Sequence, residues 1–136
     1  MKLSAIAAVG ILVTAVIAAD NLHRRELALH PGDDPGWFER DLPRVSGIVR
    51  EIATARGLSE AKNSLSWDGD GYAPSHIDIE RRRGLIVVIV WQLGPNRSPS
   101  KEFTDLRAEL REELRREFGS RLQSRKGSGR VIQPAD

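Results

Sequence analysis

The chain has 136 residues and a mass of 15.1 kDa, the size of one domain. Hydrophobic residues make up 40% and charged residues 29%, a globular composition that excludes a fully disordered chain, a collagen and a multi-span membrane protein. The absence of cysteine excludes disulfides, cysteine-ligated metal sites and a cysteine nucleophile. With 21 basic and 19 acidic residues, the net charge of +2 does not indicate nucleic acid as a partner.

The N-terminal residues 1–19 carry an export signal. After Lys2, residues 3–19 form a run of 17 residues without a charge. Its length lies between the apolar region of a signal peptide, about 7–15 residues, and a spanning helix, about 17–25. We therefore expect a protein of a bacterial-type cell envelope, either periplasmic or secreted after cleavage or held in the inner membrane by a single anchor. A buried core helix is the remaining alternative, although a run that is apolar on all sides disfavours it.

Residues 20–41 are predicted to be a linker, because turn-forming residues are dense over 30–36. The aromatic pair of Trp37 and Phe38 follows. It is interpreted either as a hydrophobic clip onto the domain or as part of a membrane-interface belt.

Two amphipathic helices are predicted in a domain that spans residues 42–119. The first covers 42–56, with Asp41 as its N-cap, Pro43 in the first turn and Gly57 as its stop. The second covers 99–118, capped by Ser98 or Ser100. Their apolar stripes are Val45, Ile48, Val49, Ile52 and Ala53 in the first helix, and Phe103, Leu106, Leu110, Leu114 and Phe118 in the second. Residues 120–136 are predicted to be a polar basic tail.

A β-hairpin is predicted between the helices, with strands over 75–81 and 85–91 and a turn at Arg82-Arg83-Gly84. Leu65 and Trp67 predict a further short strand. The side-chain period of two puts Ile77 and Ile79 on one face with Ile86, Val88 and Val90. We expect both helices to pack on that face. The fold class is therefore α+β: an N-terminal hydrophobic helix, then a small two-layer domain with two amphipathic helices on an antiparallel hairpin sheet.

The opposite face of the hairpin mixes polar and apolar side chains and needs a cover. Its members are His76, Asp78, Glu80, Leu85, Val87, Ile89 and Trp91. Val87, Ile89 and Trp91 are the candidate binding residues for a protein partner, if nothing intramolecular covers them. The leading hypothesis is a non-enzymatic exported or membrane-anchored domain with a binding or scaffolding role.

Asp68, Asp70 and His76 form the only local cluster whose residue types suit acid–base or metal chemistry. They support an alternative hypothesis, a small metal-dependent or acid/base hydrolase. No nucleotide-binding, hydrolase or zinc-protease motif accompanies them, so we predict no catalytic residue, cofactor or metal. A third hypothesis is a membrane-surface module held by Trp37, Phe38 and the basic tail.

Overall fold

The structure, a computed structural model, describes residues 23–62, 64–71, 74–92 and 98–126, with the side chains of 125 and 126 left out. The predicted N-terminal helix over 1–19 lies outside these ranges. The described chain is α+β, with two helices and a six-stranded antiparallel sheet. Its elements are β1 (His23–Leu29), α1 (Trp37–Ala55), β2 (Ser59–Glu60), β3 (Ser66–Asp68), β4 (Ser75–Arg82), β5 (Leu85–Gln92), α2 (Lys101–Phe118), a 3-10 turn (Gly119–Arg121) and β6 (Leu122–Lys126).

The sheet is larger than the predicted hairpin, with the strand order β2-β3-β4-β5-β1-β6. The segment expected to be a linker instead contains β1, which lies between β5 and the edge strand β6. Leu27 and Leu29 of β1 are buried in the main core. Three consecutive apolar residues after a charged stretch are a weak strand pattern, and pairing with β5 and β6 makes this segment a strand. The expected basic tail likewise begins with the 3-10 turn and β6.

The β4–β5 hairpin has the predicted face assignment, but each strand is one residue longer than predicted, and Arg82 belongs to β4 and not to the turn. Arg82 pairs with Leu85, so the turn is formed by Arg83 and Gly84, whose φ angles are 52° and 75°. Positive φ at both turn residues matches the right-handed twist of a two-residue hairpin. Ile77 and Ile79 lie in the main core, on the face that carries the helices.

Helix α1 begins at Trp37, five residues before the predicted start. Its N-cap is Gly36, so the assignment of Asp41 as the cap is wrong, and Pro43 lies inside the helix. The helix starts earlier because Trp37, Asp41 and Val45 are spaced four residues apart and form one buried row along it. Trp37 belongs to the core and Phe38 packs against it, so the aromatic pair is a clip on the domain.

Helix α2 ends at the predicted residue and has one of the two predicted caps. The hydroxyl of Ser100 accepts a hydrogen bond from the Phe103 backbone N–H at 3.1 Å. Gly119 ends the helix with a φ of 62°. The predicted stripe is buried along its whole length: Phe103, Leu106, Leu110, Leu114 and Phe118. In the described ranges, neither helix has an apolar run long enough to cross a bilayer.

The two layers enclose one main core between the helices and the sheet. Trp67, Ile77, Val88 and Leu110 are among its fully or almost fully buried members. A second, small apolar cluster contains no residue of α1 or α2 and lies on the other face of the sheet. It consists of Ala28, Val87 and Ile89, with Leu85 and Trp91 packed against them.

Two glycine substitutions are expected to change stability in opposite directions. Gly47 lies in α1 with open space around its Cα, so Gly47→Ala should raise the free energy of unfolding by about 1 kcal/mol. Gly84 has the positive φ that a side chain disfavours, so Gly84→Ala should lower it by about 1–2 kcal/mol. Urea denaturation of the two single variants measures both changes. Equal changes in the free energy of unfolding for the two variants would contradict the positive φ assigned to Gly84.

Candidate functional site

The candidate site is the sheet face that lies opposite α1 and α2, which we call the open face. Because successive residues of a strand point to opposite faces, each strand contributes alternate side chains to it. Its central members are Arg24, Glu26 and Ala28 from β1, Leu85, Val87, Ile89 and Trp91 from β5, and His76, Asp78, Glu80 and Arg82 from β4. Ser66 and Asp68 of β3 extend it at one side, and Gln123 of β6 at the other.

The three predicted binding residues lie in one row on this face. Val87 and Ile89 are buried together with Ala28 of the neighbouring strand, while Trp91 is partly exposed. We call the row from Leu85 to Trp91, together with Ala28, the apolar strip. The strip is continuous along β5, with Trp91 and Leu85 at its two accessible ends.

Trp91 is held in one orientation by polar neighbours. Its indole Nε1–H donates to Asp78 Oδ2 at 2.9 Å, and the Ser66 hydroxyl donates to Asp78 Oδ1 at 2.6 Å. The imidazole of His76 stacks on the indole with 4.3 Å between ring centroids and 19° between ring planes. These contacts fix the orientation of the indole ring.

The structure brings together two of the three candidate acid–base residues. His76 Nδ1 hydrogen-bonds the Asp68 carboxylate across the β3–β4 pair. Asp70 is directed elsewhere: it lines a cavity of about 550 Å³, together with Arg56, Glu102 and other residues. β3 ends at Asp68, and the backbone N–H of Gly69 donates to the Ser75 carbonyl oxygen at 2.9 Å, so Asp70 lies in the loop beyond the paired residues.

A group of charged side chains on β1 and β4 was missed by the sequence argument. Glu26 pairs with Arg24 at 2.8 Å and with Arg82 at 3.4 Å, and Arg82 also pairs with Glu80 at 2.8 Å. Only the β4–β5–β1 order brings these residues together. The alternation of Arg24, Glu26 and Ala28 with the core leucines was the available signal.

Among the described residues, no three His, Asp or Glu side chains converge in a way that could hold a metal ion. No family model, no curated protein and no solved structure matches this chain.

Proposed function

We propose that this chain is a non-enzymatic domain of the cell envelope that binds a partner protein with the open face of its sheet. The observation that supports the proposal is the apolar strip, a second apolar cluster that faces away from both described helices. Charged side chains of β1 and β4 flank it on both sides, and the Glu26–Arg82 pair crosses β5. Protein–protein interfaces combine buried apolar side chains with polar and charged ones, and arginine is enriched in them.

Trp91 is the proposed anchor for the partner. Tryptophan is enriched among the residues that dominate binding energy, because its large ring buries much area while its N–H keeps a polar contact. Here Asp78 and His76 already fix the ring. A preorganised side chain loses little conformational entropy on binding, which raises the affinity that a given area supplies.

The route to the envelope is proposed from residues 1–19, whose uncharged run suits a signal peptide or an anchor. The test is to express the full chain in a bacterial host, separate the cell fractions and determine the mature N-terminus by mass spectrometry. A start at Ala19 or Asp20 in the periplasm, or an intact Met1 in the membrane fraction, supports export. An intact chain in the cytosol contradicts it.

The binding role predicts a specific effect of Trp91→Ala in the full chain. A photo-crosslinking residue in place of Leu85, on the same face, should form an adduct with a larger partner in envelope fractions. Trp91→Ala should reduce its yield, because losing a tryptophan hot spot costs about 2 kcal/mol or more. The control is Arg83→Ala in the exposed turn, which should leave the yield unchanged. An adduct that survives Trp91→Ala in a folded variant would contradict the proposal.

The His76–Asp68 contact favours a second candidate function, acid–base hydrolysis. The carboxylate holds Nδ1 of the imidazole, which leaves Nε2 available for proton transfer. Nitrophenyl esters and phosphodiesters are suitable probes. Hydrolysis by the wild-type chain that falls in both His76→Gln and Asp68→Asn, but not in Asp70→Asn, would support this function. Equal background rates in all four proteins would exclude these probes as substrates and leave the binding proposal unaffected.

A further inference from the structure

Exposure on the open face falls from its sides to its centre. At one side, the side chain of Asp68 on β3 is 56% exposed. At the other side, Gln123 of β6 is exposed. Between them, β4 carries Glu80, which is 45% exposed, and Arg82, which pairs with Glu26 across β5 and is only 18% exposed. The charged side chains of Arg24 and Glu26 on β1 are only 17% and 11% exposed. Val87 and Ala28 beneath them are buried.

This gradient indicates a further layer above β1 and β5. Long charged side chains that formed the outermost layer of a sheet would keep their heads in water. Those of Arg24, Glu26 and Arg82 are largely buried, and the Arg24 Nε atom is fully buried without a hydrogen-bond acceptor. An apolar cover accounts for both facts, since it excludes water and supplies no acceptor. Neither α1 nor α2 lies on this face.

The covered strip has the dimensions of one helix. Strands lie about 4.8 Å apart, so β1 and β5 together present a band about 10 Å wide. A helix with its side chains is about 10–12 Å across, and one made from the 17 residues 3–19 is about 25 Å long. The eight residues of β5 extend over about 26 Å.

We propose that, in the unprocessed chain outside the membrane, residues 3–19 lie as a helix across β1 and β5 and cover the apolar strip. Three residues, 20–22, separate the end of this segment from His23, where β1 begins, so the segment enters beside the strip. With residues 20–22 as the reversal, the helix runs antiparallel to β1. Residues near 18 then lie over the Arg24–Trp91 end, and residues near 5 over the Leu85 end.

The cover and the proposed binding function use the same strip at different times. Cleavage or membrane insertion removes residues 3–19 from the sheet and exposes the strip to a partner. The inference therefore deepens the proposed function and partly rests on it. The packing itself requires no export, and it can be tested separately.

Crosslinking in the full chain tests the position of the segment. The chain contains no cysteine, so introduced pairs are unique. The near pair is Ala5→Cys with Leu85→Cys. The far pair is Ala18→Cys with Leu85→Cys, which moves the first cysteine about 20 Å along the helix. With a short bismaleimide in dilute, detergent-free buffer, the near pair should give at least about tenfold more intrachain product, since it is held at a high effective concentration.

A second measurement leaves the described domain unchanged. A spin label on Ala5→Cys alone should broaden the amide resonances of Leu85 and Ile86 and leave those of Trp91 and Gln92 sharp. Moving the label to Ala18→Cys should reverse the pattern. This measurement needs no substitution at Leu85, so it also tests the position of residues 3–19 if the Leu85 variants fail to fold.

The outcomes separate the competing occupants of the strip. Equal yields for the two pairs, or broadening at neither end, would overturn the inference. Interchain products that increase with protein concentration would also overturn it and identify a second copy as the cover. Loss of the near-pair product on adding phospholipid vesicles is the expected result of membrane insertion. A product that persists with vesicles, in a chain that is not exported, would refute the proposed envelope function and support the intramolecular cover.

Discussion

Asp41→Ala is expected to lower the free energy of unfolding by about 3 kcal/mol, the lower end of the range for breaking a buried ion pair. The Asp41 side chain is 0% exposed, and its carboxylate lies 2.7 Å from Arg121 Nη2 and 2.9 Å from Arg44 Nη1. Removing it takes away the partner that Arg121, Arg44 and Arg40 share and opens a gap between α1 and the turn before β6. Arg121 is partly exposed and can recover some hydration, which keeps the loss near 3 kcal/mol.

Urea denaturation at pH 7 measures this loss, and Glu112→Ala is the matched control. Glu112 pairs with Arg116 on the exposed side of α2, where a surface ion pair contributes about 1 kcal/mol or less. A loss at Asp41 no larger than that at Glu112 would contradict the assigned role.

The same carboxylate should make the fold sensitive to acid. Burial alone would raise the pKa of Asp41, but hydrogen bonds and charge from Arg121 and then Arg40 outweigh it, and the pKa is lowered. A lowered folded-state pKa means stability that is present above the unfolded pKa, about 3.9, and is lost as the pH falls through the folded value. The stability difference between the wild type and Asp41→Ala should therefore be constant near neutral pH and shrink below about pH 4.

Local patterns predicted the elements that depend on near neighbours. The α2 stripe, its Ser100 cap and the β4–β5 hairpin are each specified within about twenty residues of chain, and the structure has all three. Asp41 could not be placed in this way. An aspartate just before an apolar helical stripe has the pattern of an N-cap. Its actual partner, Arg121, lies 80 positions away in the sequence and gives no local signal.

On the open face, too, the sequence predicted the part that depends on near neighbours, the β4–β5 hairpin. The alternation along β5 puts Val87, Ile89 and Trp91 in one row, and the hairpin register puts His76 beside Trp91. The contribution of β1 was missed, because its alternation is weak and its strand state depends on pairing with β5 and β6. The grouping of Asp68 with Asp70 was wrong. Residues two apart share a face only while the strand continues, and β3 ends at Asp68.

Val87→Asp is expected to lower the free energy of unfolding by about 3 kcal/mol, because it replaces a fully buried apolar side chain with a carboxylate. Val87 is 0% exposed, and its cross-strand neighbours are Ala28 and Glu80. A short aspartate cannot reach water past the charged side chains above it, and Glu80 adds a like charge. A bare sheet face would tolerate the same change, since a surface substitution usually costs within about 0.5 kcal/mol.

The matched control is Glu80→Gln, one strand away on the same face, where the side chain is 45% exposed. It also changes one charge, but at an open position, so we expect a shift within about 0.5 kcal/mol. Thermal and urea unfolding of both variants in the full chain give the comparison. A Val87→Asp protein as stable as Glu80→Gln would mean that water reaches the centre of the strip. The burial of Arg24, Glu26 and Arg82 would then need no covering segment, and the strip would be open to a partner from the start.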